Sequence, residues 1–209
     1  MKGQWINIYS GDLPLRSWWV NSSNKCEYVS IVLPEVFGIN NWIRSFSEKL
    51  ATKNVPVLAL PLYGRTAPKL DLGYDEEDLK LGRQHKNLTT SKNIIKDVSA
   101  AINWVKEKYP QKKISIIGFC FGGYAALIAS SLKEIESTFC FYGAGVITPS
   151  PDNNFAPIDL IEKVSGKLNF ICGSSDDLIP LRDRLEIKKR FKKVDPLEER
   201  FFYIEVEGA

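Results

Sequence analysis

The stretch Lys113 to Ser130 reads "KISIIGFCFGGYAALIAS", and its middle decides how the rest of the chain is understood. Ile114-Ser115-Ile116-Ile117 is short, β-branched and apolar, the pattern of a buried strand, whereas Tyr124 to Ser131 is rich in alanine and leucine, the pattern of a packed helix. Between them Gly118-Phe119-Cys120-Phe121-Gly122-Gly123 leaves no room for an ordinary loop. A chain reversing that sharply forces one residue into an unfavourable backbone conformation, and flanking glycines keep neighbouring Cβ atoms out of its way. The pattern is G-x-C-x-G, the cysteine form of the G-x-S-x-G elbow that exposes a nucleophile where a strand turns into a helix. The competing reading is a buried structural cysteine, since free cysteine is among the most buried residue types.

Working outward, the N-terminal segments "QWINIYS" and "LRSWWVN" flank "GDLP" and predict an antiparallel hairpin. Strand and helix patterns alternate thereafter. Strands are expected at Tyr28–Leu33, Val55–Leu60, Ile114–Ile117, Ser137–Phe141, Leu168–Cys172 and Phe201–Val206. Helices are expected at Asn41–Lys53, Ser91–Lys108, Phe121–Lys133, Pro157–Val164 and Leu181–Phe191. The helix from Ser91 has the clearest pattern, with Ile94, Ile95, Val98, Ala101, Ile102 and Val105 on one stripe before Tyr109-Pro110 ends it. Alternating elements of this kind imply an α/β fold with a mainly parallel sheet covered on both faces. In such sheets ligands bind outside the carboxyl ends of the strands, so the loops following the strands are where chemistry is expected. The stretch Tyr63 to Asn87 shows no clear periodicity and is expected to lie as an excursion over that same edge.

The 209 residues are expected to form a single domain with a full core. A formal net charge of +3 is too small to argue for nucleic acid. In the most basic stretch, Arg182 to Arg200, Glu186, Asp195, Glu198 and Glu199 interleave with the cations, which reads as a solvated helix face. No apolar run approaches the roughly 20 residues that span a bilayer, and no signal-peptide pattern opens the chain, so a cytoplasmic protein without a membrane partner is expected. The four cysteines, Cys26, Cys120, Cys140 and Cys172, show no paired spacing, and His85 is the one histidine. No metal site and no cofactor are expected, and a reduced, working thiol is permitted. "YGAGVITP" offers only G-x-G at a late strand, too little for a dinucleotide site.

"LPEVFGIN" (Leu33–Asn40), "GFCFGG" (Gly118–Gly123) and "GSSDDLIP" (Gly173–Pro180), with "LALPLYGR", "DVSAAINWV" and "CFYGAG" between them, resemble the dienelactone hydrolase family from about Tyr28 onward. The resemblance implies the α/β-hydrolase fold, whose strand order suits the antiparallel first pair and an elbow after the fifth strand. It implies that Cys120 is the nucleophile and that Asp176, in G-x-x-D-x-x-x-P, orients a histidine. It implies that Glu35 acts on the thiol and that the backbone N–H groups of Val36 and Phe121 form an oxyanion hole. Read from the residues alone, Asp176 is a turn former in "SSDD", and Glu35 is a loop carboxylate near a helix N-terminus. The family binds a substrate carboxylate with arginines, for which Arg65 and Arg83 are the local candidates, equally readable as surface arginines. The substrate implied is a small ester, lactone or thioester.

The resemblance also implies a histidine after the last strand, "FFYIEVEGA", which this sequence does not show. The expectation is therefore a chain lacking the final loop and helix and weakly active, with "GRQHKN" around His85 read as a solvated turn. The alternative is a non-catalytic α/β-hydrolase-fold protein that binds a ligand or partner.

Overall fold

The structure, a computed structural model, describes residues 1–22, 26–149, 152 and 155–209. Among them an eight-stranded sheet runs in the order β1-β2-β4-β3-β5-β6-β7-β8. β1 (Gln4–Ser10) and β2 (Leu13–Val20) form the expected hairpin, and β2 pairs antiparallel with β4 (Val57–Ala59). The remaining ladders are parallel: β3 (Tyr28–Leu33) lies between β4 and β5 (Lys113–Phe119), followed by β6 (Ile135–Phe141), β7 (Lys167–Gly173) and β8 (Phe201–Val206). The sheet is mainly parallel, as the alternating pattern implied, and its order with an antiparallel first pair is that of the α/β-hydrolase fold implied by the family resemblance.

Successive side chains of a strand point to opposite faces, and β3 shows how this sorts the core. Val29, Ile31 and Leu33 pack with α3 (Ser91–Lys108) and α4 (Phe121–Ala129), whereas Val32 packs on the other face with Ile43 of α1 (Asn41–Ala51). Ser30 also falls on that second face. Its hydroxyl meets Ser115 Oγ at 2.6 Å, so two buried polar groups satisfy each other between strands. A third apolar cluster joins Leu127 of α4, Phe170 of β7 and Phe201 of β8 to Ile187 and Phe191 of α5 (Leu181–Val194).

The differences from expectation have local causes. α4 stops at Ala129 rather than Lys133 because Ser130 and Ser131 hydroxyls donate to the carbonyls of Leu127 (2.6 Å) and Ile128 (2.8 Å), competing with further helical turns. Pro157–Lys163 forms a 3₁₀ segment instead of an α-helix. The largest correction is in the excursion, where Glu76–Asn87 is a helix, α2. Asp75 caps it by accepting the Asp78 N–H at 2.8 Å, and Glu76, Glu77 and Asp78 in the first turn with His85 and Lys86 in the last suit the helix dipole. The end signals were present; the apolar stripe was too sparse to reveal the element between them.

Candidate active site

The elbow is built from close backbone approaches. Cys120 adopts φ 53° and ψ −116°, a conformation costly for a residue with a Cβ, at the junction of β5 and α4. Its N–H donates to Phe141 O at 3.0 Å and its carbonyl accepts from Tyr124 N at 3.1 Å, so strand and helix both hold it. A Cβ on Gly118 would lie 1.9 Å from Gly122 O, and one on Gly122 would lie 2.2 Å from Leu33 O. Only glycine lets α4 approach the strands this closely.

Cys120 is half-buried, whereas Cys26, Cys140 and Cys172 are buried. Burial is the main influence pushing the Cys120 thiol above its ordinary value, and the charges of Glu35 and Asp176 add to it. The Phe121 N–H hydrogen-bonded to the sulfur and the Lys86 ammonium oppose the rise. The structure thus brings Glu35 and Asp176, from widely separated segments, near enough for their charges to act on Cys120. Val36 is buried next to Glu35, in the loop after β3.

Two tyrosines missed in the sequence hold Glu35. Tyr74 Oη donates to Oε2 at 3.1 Å and Tyr142 Oη to Oε1 at 3.4 Å. Burial raises the Glu35 carboxyl above the usual range, and the two hydroxyls partly offset that rise. Tyr142 directly follows β6, so the rule that chemistry gathers at the carboxyl ends of strands could have found it. Tyr74 comes from the excursion, which is strapped to the Glu35 loop by Leu72 N–H donating to Phe37 O at 3.0 Å and by Phe37 and Tyr74 ring centroids 4.6 Å apart.

Asp176 follows β7, and its Oδ1 accepts the Leu178 N–H at 2.9 Å. The turn expected from "SSDD" is present, and it fixes a carboxylate whose charge also raises the Cys120 thiol. Asp176 is half-buried and Asp177 exposed. The arginines behave differently from each other. Arg65 donates two guanidinium nitrogens to Asp97, Nη2 to Oδ1 at 2.8 Å and Nη1 to Oδ2 more closely. Arg83 is exposed on α2 with no ion pair among the described residues.

His85 is not the solvated turn residue expected from "GRQHKN". It is half-buried in the last turn of α2, its Nδ1 is buried without a hydrogen-bond partner among the described residues, and its ring centroid lies 5.8 Å from that of Tyr63. Tyr63 in turn stacks on Phe121, ring centroids 6.0 Å apart, so a chain of ring contacts joins His85 to the elbow. α2 reaches this edge because Gly82 presses on the loop after β3, where a Cβ would meet Val36 O at 2.4 Å. Among the described residues no group of three or more His, Cys, Asp or Glu side chains gathers as a metal site, and no helix is long and apolar enough to cross a membrane.

Residues 16–207 match the model of the dienelactone hydrolase family. The chain belongs to that family. A Synechocystis sp. protein assigned to the carboxymethylenebutenolidases is 33% identical over 177 residues, covering 84% of this chain and 72% of its own. Carboxymethylenebutenolidase of Pseudomonas putida is 24% identical over 181 residues, covering 85% and 72% respectively. A Klebsiella pneumoniae protein assigned as a dienelactone hydrolase shares the fold with a TM-score of 0.86 over 99% of this chain and 85% of its own, at 17% identity. The dienelactone hydrolase family model thus spans the segments that carry the elbow at Cys120, the loop of Glu35 and the turn of Asp176.

Proposed function

We propose that this hydrolase acts on small esters, lactones or thioesters through an acyl-enzyme on Cys120. The observation that carries the reading is the Cys120 thiol at a strained elbow, hydrogen-bonded by Phe121 N–H, with Glu35 and Asp176 acting on the same sulfur. In the first step the Cys120 thiol loses its proton, its sulfur bonds to the acyl carbon, and the carbonyl oxygen takes up charge. The C–O or C–S bond to the leaving group then breaks as that group takes up the proton the thiol gave up, carried through solvent. The backbone N–H groups of Phe121 and Val36 receive the oxyanion, the former at the N-terminus of α4. In the second step water adds to the thioester, releasing the acid and restoring the thiol.

Each flanking carboxylate has its own part. Glu35, steered by Tyr74 and Tyr142, disfavours the thiolate before substrate binds. Asp176 is the carboxylate suited to orient an imidazole and to stabilise it when charged. His85 meets the ring of Tyr63, which in turn stacks on Phe121, the residue after the nucleophile. Arg65 braces the loop after β4 through Asp97, and Arg83 stays open to solvent or to a substrate anion.

The test is p-nitrophenyl acetate with the purified protein. The expected result is a release of about one equivalent of nitrophenolate followed by a slow phase. Peptide mass spectrometry should then place an acetyl group on Cys120 that is absent in Cys120→Ala. No adduct on Cys120 would overturn the acyl-enzyme reading and favour a ligand-binding role for the fold. Sustained turnover lost in His85→Ala would make His85 the base.

A further inference from the structure

β1, at one end of the sheet, offers a strand edge without the usual protections, since Gln4–Ser10 contains no charged residue and no proline. Ser10 pairs with Leu13 across the two-residue turn Gly11-Asp12, so the alternation of an antiparallel ladder commits Gln4, Ile6, Ile8 and Ser10 to β2. Trp5, Asn7 and Tyr9 then turn their N–H and C=O groups outward. Pro14, opposite Tyr9, fits this arrangement because it has no N–H to give. Among the described residues no other segment forms a backbone hydrogen bond to these outward groups.

Beside that edge an open groove of about 480 Å³ separates β1 from α3, lined by Ile8, Ser10, Lys96, Asn103, Trp104 and Glu107, among others. Ser10 Oγ is buried without a hydrogen-bond partner among the described residues. Lys96, Asn103 and Glu107 stand exposed on one face of α3, with Ser99 and Ala100 between them at helical spacing. Neither Lys96 nor Glu107 has an ion pair among the described residues. Basic at one end and acidic at the other, this face complements itself in reverse. An antiparallel second α3 sets Lys96 against Glu107, Ser99 against Trp104 and Ala100 against Asn103.

We propose that β1 and this groove receive a second copy of the chain, β1 pairing antiparallel with β1 about a twofold axis perpendicular to the sheet. Such an axis keeps both α3 helices on one face of the joined sheet and runs them in opposite directions. The operation that pairs the strands therefore also opposes Lys96 to Glu107 of the second copy, twice over. The outward groups of Trp5, Asn7 and Tyr9 are satisfied by the same groups of the second copy. Three strands lie between β1 and β5, so the interface is apart from Cys120.

The experiment is sedimentation of the purified chain over a wide range of concentration, with thermal unfolding as the check on folding. Wild type should reach twice the 23.6 kDa mass of one chain. Lys96→Glu and Glu107→Lys should each weaken association roughly tenfold, because each replaces two attractions by two repulsions. Mixing those two variants should restore the dimer, since every cross-pair again sets a cation against an anion, and the double variant should associate like wild type. Asn7→Pro removes an outward N–H that β2 does not use and should leave a folded monomer. If Asn7→Pro unfolds, the charge variants decide alone. A wild-type monomer at every concentration overturns the proposal. So does a dimer that persists in a folded Asn7→Pro, or one whose single charge variants are not rescued by mixing.

Discussion

At Cys120, burial and two carboxylates favour the thiol, while one backbone N–H and one ammonium favour the thiolate. Replacing Glu35 by Gln removes a negative charge that raises the thiol's proton affinity. The rate of Cys120 alkylation by iodoacetamide should then rise at lower pH than in wild type and be several-fold faster at pH 7. An unchanged pH profile would show that Glu35 does not act on the sulfur. The same variant has a stability signature. The folded-state Glu35 carboxyl is raised, so its contribution to stability is complete below the ordinary carboxylate range and is lost as pH rises through the folded value. Glu35→Gln should accordingly compare better with wild type in Tm at pH 7 than at pH 4.

Between elements, the passage from α5 to β8 depends on a single carboxylate. Asp195 is buried at the end of α5, and its Oδ2 accepts N–H groups from Arg200 and Phe201, each at 2.7 Å. These backbone hydrogen bonds are the main reason that its carboxyl lies below the usual range. The sign is opposite to that of Glu35, since this stabilisation is present above the ordinary carboxylate range and is lost as pH falls through the depressed value. Asp195→Ala should lower Tm clearly at pH 7, and the gap to wild type should narrow as both are taken into acid. A gap independent of pH would mean that the residue acts by packing alone. The sequence placed both flanking elements, β8 at its observed bounds and α5 short by one turn, because each carries its own apolar period. It could not show that Asp195 reaches forward to Arg200 and Phe201, since "VDPLEER" reads only as a polar connection.

Across the molecule, Arg65 and Asp97 tie the loop after β4 to the long helix α3, 32 positions away in the chain. Asp97 is almost fully buried, with its side chain 5% exposed, whereas the Arg65 side chain is 27% exposed. Removing either partner leaves a desolvated charge, so each single alanine variant should be destabilised. A double-mutant cycle on Arg65→Ala and Asp97→Ala in urea should give a coupling energy above about 1 kcal/mol. Additive losses would show that the two side chains stabilise the fold independently, and that the excursion over the site is held by its other straps.

Local pattern determined much of this protein. The alternation of strands and helices, the hairpin, the stripe of α3 and the G-x-C-x-G elbow are all readable because burial on one face repeats at a period fixed by the element itself. Motif resemblance singled out Glu35, Cys120 and Asp176 as candidates, and the sheet order β4-β3-β5-β6-β7 carries all three segments to one edge. What only the tertiary structure decided is which side chains meet there. α2 was hidden because its side chains are mostly polar and Gly82 is its one buried residue, so burial left no stripe to read. His85 was misplaced for the same reason, since its burial comes from Tyr63 across the excursion and not from its own neighbours in sequence. Tyr74 and Tyr142 reach Glu35 across 39 and 107 positions. Such contacts depend on how crossovers stack the strands, and nothing in the spacing of a single segment encodes them.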